Sequence, residues 1–313
     1  MPALSRRSLR RLLVATVLAV AGAVGCTQLD AWQRQAIFSP ETDQRWWREP
    51  PAGTEIYDLA LDNGDKVRAW YWQAPRADAP TVLYLHGARW NLNGSAFRMD
   101  AWTRMGYSML AIDYRGFGES TTLLPSQDTA LQDASAALAE LARRQPDPAR
   151  RFLYGHSLGG AIAIDLAAQA DRPAIAGLIV ESSFTSVAAM LGTLRWGKLP
   201  GASLLVTQPF ASVEKLATLT TPMLLMHGTA DRVVPHTMSD ELFAAARKVP
   251  SELKRLVKID GASHSGAVRS GAVYEAAVQS FIRDAGQAYA ASTPSEPSAP
   301  SDAPMLQARG TAG

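Results

Sequence analysis

The sequence predicts one doubly wound α/β domain built on a mostly parallel sheet of about eight strands. Three observations lead there. Short, continuous apolar runs recur at Thr81–Leu85, Ser108–Ile112, Arg151–Tyr154, Gly177–Val180, Met223–Met226 and Leu253–Ile259. Each is followed by Gly or a polar residue, the pattern of strands buried on both faces of a parallel sheet. Helical stretches separate the runs, and alternating βα units argue helices on both sides of the sheet. Ahead of them, Ile56–Leu61 and Lys66–Trp72 flank the turn signal Asp62-Asn63-Gly64-Asp65, so the sheet should begin with an antiparallel hairpin.

The N-terminal segment reads as a removable leader, residues 1–25. Arg6, Arg7, Arg10 and Arg11 are followed by the apolar stretch Leu12–Val24, which is too short to span a bilayer comfortably. Ala23-Val24-Gly25-Cys26 resembles the lipobox of bacterial lipoproteins, which implies cleavage before Cys26 and a lipid on its sulfur. Thr27, where Asp would signal otherwise, resembles the outer-membrane sorting pattern and implies a periplasm-facing envelope protein. Cys26 is the only cysteine, so no internal disulfide is possible, and lipidation would remove an exposed thiol from an oxidising compartment. The alternatives are a plain signal peptide with a soluble periplasmic or secreted product, and twin-arginine export through Arg6-Arg7-Ser8-Leu9.

Residues 26–51, with Trp32, Trp46 and Trp47, are expected to be an irregular tether, and residues 52–285 the folded domain. Within the domain, Asp128–Arg144 carries Leu131, Ala134, Leu138 and Leu141 on one helical stripe and stops near Pro146 and Pro148. Residues 286–313 are rich in Ala, Ser and Pro, the composition of a disordered tail. Beyond the leader, 27 basic residues face 29 acidic ones, a net charge of −2 with no Lys/Arg run. Nucleic-acid binding, which needs clustered phosphate-neutralising charge, is therefore not expected.

Chemistry concentrates in Gly155-His156-Ser157-Leu158-Gly159, which follows one strand and opens the helix Leu158–Gln169. Strand, tight turn and helix are the context in which a G-x-S-x-G turn lifts a serine hydroxyl above the sheet edge. A serine hydroxyl is a poor nucleophile without a base. Among five histidines, His86 and His227 sit in strand-end His-Gly pairs that shape loops, His156 lies inside the turn, and His236 begins a helix. His264, in the loop after the last strand, is the candidate base, and turnover should rise with pH as it loses its proton. The acid that orients it is expected to be Asp231, just past Met223–Met226; Glu181 is the rival, and Asp260 is too near His264 in sequence. Two backbone amides should bind the oxyanion. That of Leu158 opens a helix, where the dipole helps, and that of Ala88 lies in the loop His86-Gly87-Ala88-Arg89.

The motifs His86-Gly87-Ala88, Asp113-Tyr114-Arg115-Gly116-Phe117-Gly118-Glu119-Ser120, Gly155–Gly160, Glu181–Ser186 and His227–Asp231 occur in order. Together they resemble the small-cap α/β-hydrolases of the Bem46 and ABHD13/ABHD17 type, often labelled serine-aminopeptidase-like. The likeness runs from about Ile37 to Arg283. It implies the α/β-hydrolase fold with a short helical cap, a Ser157–Asp231–His264 triad, a structural role for Asp113–Ser120, and no metal or cofactor. Relatives commonly carry Asn-Ala-Gly-Asn after the His-Gly pair, where this chain has Ala88-Arg89-Trp90-Asn91. That departure puts Arg89 and Trp90 at the mouth of the site, where Arg89 could meet an anionic group or simply be solvated. The cap, about residues 187–215, contains Trp196 and Leu199 among other apolar residues and could line an acyl pocket or simply pack down.

The function expected is hydrolysis of a carboxylic ester or thioester through an acyl-enzyme. A peptidase or amidase would use the same triad. A non-catalytic, lipid-anchored envelope protein on the same fold is the reading from another class. The expected partners are a small-molecule or acylated substrate and, through Cys26, a membrane.

Overall fold

The structure, a computed structural model, describes residues 24–40, 47–193 and 201–292. Eight strands form one sheet: β1 (Glu55–Ala60), β2 (Lys66–Trp72), β3 (Thr81–Leu85), β4 (Ser108–Ile112), β5 (Arg151–His156), β6 (Gly177–Glu181), β7 (Met223–Gly228) and β8 (Lys254–Ile259). Their spatial order is β1-β2-β4-β3-β5-β6-β7-β8. Pairing is antiparallel for β1–β2 and β2–β4 and parallel from β4 to β8. The hairpin closes through Gly64, which takes φ 86°, a value that costs glycine little.

Helices cover both faces. They are α1 (residues 24–38), α2 (Leu92–Arg104), α3 (Gln127–Arg144), α4 (Leu158–Ala168), α5 (Val187–Gly192), α6 (Ser212–Leu216), α7 (Met238–Ala245) and α8 (Ala272–Ser292). Alternate residues of β3 feed opposite cores. Leu83 and Leu85 pack with the apolar side chains of α3, α4 and α7, while Val82 and Tyr84 pack with those of α2 and α8. Because both faces are buried, the central strands are apolar throughout rather than alternating. Ser126 starts α3 with a reciprocal cap shared with Thr129, which fixes the helix start one residue before the expected one.

The chain enters the sheet's centre at β3, turns to β4 on one side, and crosses to β5 on the other. At such a reversal the loops leaving the carboxyl ends diverge and open a crevice. Leu85 pairs with Gly155 and His156 with Glu181, so the loops after β3, β5 and β6 start side by side.

The N-terminal segment differs from the expected irregular tether: residues 24–38 are helical. An isolated helix of this length is marginal, so packing rather than propensity holds it. Gln33 uses both ends of its amide, donating to the Leu205 carbonyl at 2.7 Å and accepting from the Thr207 amide at 2.9 Å. Asp30 accepts from Gln208 Nε2 at 2.9 Å, and Arg34 donates to the carbonyls of Pro125 and Leu124. Phe38 is fully buried, its ring centroid 6.0 Å from that of Phe210 and 6.5 Å from that of Phe117. Leu29, Trp32, Ala36 and Ile37 do recur at helical spacing, a short stripe that the expectation of an irregular tether left out. At the other end α8 continues to Ser292, beyond the expected boundary at residue 285. The leader before residue 24 and the tail after 292 lie outside the described residues.

Truncating Phe38 tests whether α1 belongs to the folded unit. The Phe38→Ala protein should lose about 3–5 kcal/mol of stability, the cost of emptying a fully buried phenyl site. A urea titration showing a loss within about 0.5 kcal/mol, as for a surface site, would mean that α1 is an appendage.

Candidate active site

β5 runs directly into the turn that carries Ser157, and α4 begins at Leu158. Ser157 has φ 56° and ψ −120°, a conformation that costs an L-residue energy and persists only where its surroundings impose it. Two glycines make the turn possible. A Cβ on Gly155 would collide with the Gly159 carbonyl oxygen, and one on Gly159 with the carbonyl oxygen of Leu85. The serine's own backbone is fixed at both ends. Its amide donates to the Glu181 carbonyl at 2.9 Å, and its carbonyl accepts from Ser183 Oγ at 2.9 Å.

The structure brings the three residues singled out in the sequence into one relay. His264 Nε2 lies 3.0 Å from Ser157 Oγ, and His264 Nδ1 lies 2.8 Å from Asp231 Oδ2. With Nδ1–H donating to the carboxylate, the network assigns Nε2 as the unprotonated nitrogen facing the serine hydroxyl. Asp231 is fully buried as a side chain. Its Oδ1 accepts from the amides of Val233 and Val234 at 2.8 and 2.9 Å, and its Oδ2 also accepts from His227 Nε2 at 3.1 Å. Burial alone would raise its pKa. The hydrogen bonds from His227 and His264, the His264 charge and the Val234 amide outweigh burial and hold it well below the usual carboxylate range.

Two further histidines are positioned around this relay, and sequence reasoning gave neither this role. His227, expected only to shape a loop, is the second side-chain donor to Asp231. His156, expected to point elsewhere, has its Nε2 3.0 Å from the His264 carbonyl oxygen and its ring centroid 5.0 Å from that of His264. It therefore anchors the backbone of the candidate base. The signal for His227 was its spacing, four residues before Asp231 across a tight loop; His156 had none beyond adjacency to Ser157. His86 is fully buried, its Nδ1 at 2.7 Å from the Gly87 carbonyl, which is the loop role expected. Asp260 accepts instead from Thr229 Oγ1 at 2.9 Å.

Glu181, the rival acid, is committed elsewhere. It is completely buried, with Oε1 2.7 Å from Arg98 Nη1 and Oε2 accepting from Tyr154 and Tyr274 at 2.5 and 3.2 Å. Trp102 Nε1 extends the network by donating to Tyr274 Oη at 3.1 Å. This cluster lies beneath the turn, joined to it through the Glu181 carbonyl.

The amides of Leu158 and Ala88 have no hydrogen-bond acceptor among the described residues. The first is the orphan donor that any helix start leaves. The second is brought near by Gly87, where an added Cβ would stand 3.2 Å from Ser157 Cβ. The Ala88 loop is held from α1: the Arg89 amide donates to the Phe38 carbonyl at 2.9 Å. The Asp113–Ser120 segment supports it from below. Asp113 Oδ1 accepts from the Leu92 amide at 2.8 Å, and Arg115 binds Asp133 of α3 at 2.7 Å.

An open cleft of about 840 Å³ lies over Ser157 and His264, lined by residues 87–90, 230–233 and 263–265 together with Ser95, Arg98 and His156, though not Asp231. Arg89 and Trp90 thus line the site as expected. Trp196 and Leu199 lie outside the described residues. None of the described cap residues lines the cleft. Instead Val187 and Phe210 are buried against the domain core, while Val187, Leu191, Leu205 and Val206 line a separate apolar pocket of about 210 Å³ against Leu29, Trp32 and Ile37 of α1.

Fold, elbow and relay together are those of the α/β hydrolases of esterase and peptidase kind. The chain belongs to the serine aminopeptidase S33 family, whose model matches residues 76–213 and 206–267. It is 31% identical over 290 residues to an uncharacterised protein of Mycobacterium tuberculosis, covering 90% of this chain and 98% of that one. It is 29% identical over 222 residues to the lysophosphatidylserine lipase ABHD12 of Danio rerio, covering 66% of this chain and 56% of that one. Among solved structures, an esterase of Pyrococcus furiosus matches with a TM-score of 0.61 at 18% identity, over 74% of this chain and 91% of that one, a likeness of fold.

The placement of His156 has a pH signature. Burial first, then the charges of Arg98 and His264, push its pKa well below the ordinary 6.5. The folded protein keeps it neutral while the unfolded chain takes up a proton below about 6.5, so stability must fall as pH falls through that value, by at most about 1.4 kcal/mol per unit. Asp231 acts only further into acid, below the ordinary 3.8. Thermal melts of His156→Gln should therefore show a shallower decline between pH 6.5 and 5 than wild type; equal slopes would assign the decline to other groups.

Proposed function

We propose that this protein is a serine hydrolase that cleaves a carboxylic ester or thioester through an acyl-enzyme. The observation that carries the reading is the relay from Asp231 through His264 to Ser157 Oγ, at 2.8 and 3.0 Å, facing an open cleft. Ser157 Oγ attacks the substrate carbonyl carbon while His264 Nε2 takes its proton. The resulting oxyanion is met by the amides of Leu158 and Ala88. Asp231 stays ionised and stabilises the imidazolium. Collapse breaks the bond to the alcohol or thiol, which leaves with the proton from His264. Water, activated by the same histidine, then releases the acid. Of the chain's motifs, those from His86 to Asp231 favour the small-cap Bem46-like branch.

An aminopeptidase reading is suggested by the family's description. It fits the cleft less well, because a free N-terminal ammonium calls for an anionic partner and the lining includes three arginines and no Asp or Glu. The placement we favour in the cell is a lipid anchor on Cys26 at the envelope, facing the periplasm. Cys26 is exposed on α1, a position open to such a modification.

Hydrolysis of p-nitrophenyl esters across acyl lengths, beside Ser157→Ala, is the first test. Removing the nucleophile should lower turnover by roughly four to six orders of magnitude. If no ester turns over but a fluorophosphonate labels Ser157, amides become the substrate class. If folded protein resists the probe as well, the hydrolase reading fails and a binding role takes its place.

A further inference from the structure

The cleft over Ser157 carries positive charge without a matching acid. Arg89 comes from the loop after β3 and Arg232 from the loop after β7, on opposite sides of β5 and its serine in the sheet order. Both side chains are exposed, and no ion pair is formed by either among the described residues. The cleft lining includes no Asp or Glu, and the carboxylates of Asp231 and Glu181 are committed elsewhere. Both oxygens of Asp231 accept hydrogen bonds from within its own loop and from the two histidines. Both oxygens of Glu181 are held by Arg98, Tyr154 and Tyr274.

Two details indicate that the charge is placed rather than incidental. Arg89 takes φ 74°, in the left-handed region that glycine occupies at no cost, and its amide is tied to the Phe38 carbonyl at 2.9 Å. A long cation is thus rooted, under strain, beside the amide of Ala88. Deeper in the same cleft, Arg98 is 1% exposed, and its Nη2 has no hydrogen-bond partner. A buried guanidinium N–H without an acceptor is costly, and an acceptor brought by a ligand would satisfy it.

We propose that the cleft selects substrates bearing an anionic group, a carboxylate or a phosphate, held between Arg89 and Arg232 beside the scissile carbonyl. This rests on the hydrolase reading and adds its substrate class. Guanidinium groups match both anions with paired N–H donors, and a cleft of one sign concentrates such substrates before they bind.

The test compares two esters of equal acyl length on the whole protein: the p-nitrophenyl hemi-ester of glutarate, which is anionic, and neutral p-nitrophenyl pentanoate. The ratio of their kcat/KM values should favour the anion at low salt and shrink as salt screens the charges. In Arg89→Ala/Arg232→Ala the ratio should fall by about tenfold or more, the scale of a lost charge-assisted hydrogen bond, mainly through KM. Arg89→Lys/Arg232→Lys should keep most of it. Arg89→Gly removes the charge while matching the left-handed backbone, so a fall in the ratio there is not a folding defect. A parallel pair, monoacylglycerol against the same monoacylglycerol phosphate, distinguishes a phosphate on the leaving group from a carboxylate on the acyl group.

A ratio at or below one in wild type for both pairs, or ratios unmoved by the double alanine variant, would overturn the proposal. Binding of the two p-nitrophenyl esters to Ser157→Ala, followed by calorimetry, reads recognition without turnover. If wild type hydrolyses neither ester and a fluorophosphonate fails to label Ser157, the hydrolase reading falls, and equal affinities for the two esters would sink the anion proposal separately.

Discussion

The close approach of Gly159 to the carbonyl oxygens of Leu85 and His86 is the contact on which the site depends. It lets α4 start directly against the end of β3. That places the serine turn and the loop carrying Ala88 within reach of one another, so that one orphan amide from each can face the same point. A methyl group at that position would separate the two loops. The left-handed backbone of Ser157 follows from the same crowding: the chain must reverse within a few residues, between two glycines, and the serine is the residue left to carry the strain. The Glu181 carbonyl and Ser183 hydroxyl, both at the end of β6, then hold it there.

Around that contact Asp231 and Glu181, both buried as side chains, serve different tasks. Asp231 is surrounded by N–H donors and stays ionised where it can orient an imidazole. Glu181 is matched by a guanidinium and two phenols in a closed network that reaches Trp102. Breaking such a buried pair leaves a charge without compensation, so the network fixes α2, β6 and α8 relative to one another beneath the turn. With both acids turned inward, the surface that a substrate meets is set by backbone amides, histidine and arginine.

The sequence made the sheet legible because strands covered on both faces show as unbroken apolar runs. β2, β3 and β4 fall at the expected residues, β1 is shifted by one residue, and the remaining strands differ by one or two at an end. The residues of the relay were legible because the elbow, the loop after β7 and the loop after β8 each carry a local signature. What stayed hidden depends on contacts distant in sequence. Helix α1 announces itself only by a short apolar stripe, and Gln33 and Phe38, which hold it, find their partners in the cap and in the loops around Phe117 and Arg89. The supporting roles of His156 and His227 are likewise tertiary: one meets a carbonyl more than a hundred residues away, and the other shares a carboxylate claimed by a second histidine. The role of the cap stayed open for a related reason, since an apolar stretch that lines a pocket and one that packs on a core have the same composition.

The end of α1 on the Arg89 loop bears on how far the protein can reach. A helix rises 1.5 Å per residue, so Cys26 and Phe38 stand about 18 Å apart along a stiff rod. A flexible linker would let the cleft sample a hemisphere of radius set by its length. A rod docked on the cap instead fixes both height and tilt above whatever holds Cys26. If a bilayer holds it, the cleft opens at one distance from the lipid surface, and the molecules it meets are those that dwell at that depth.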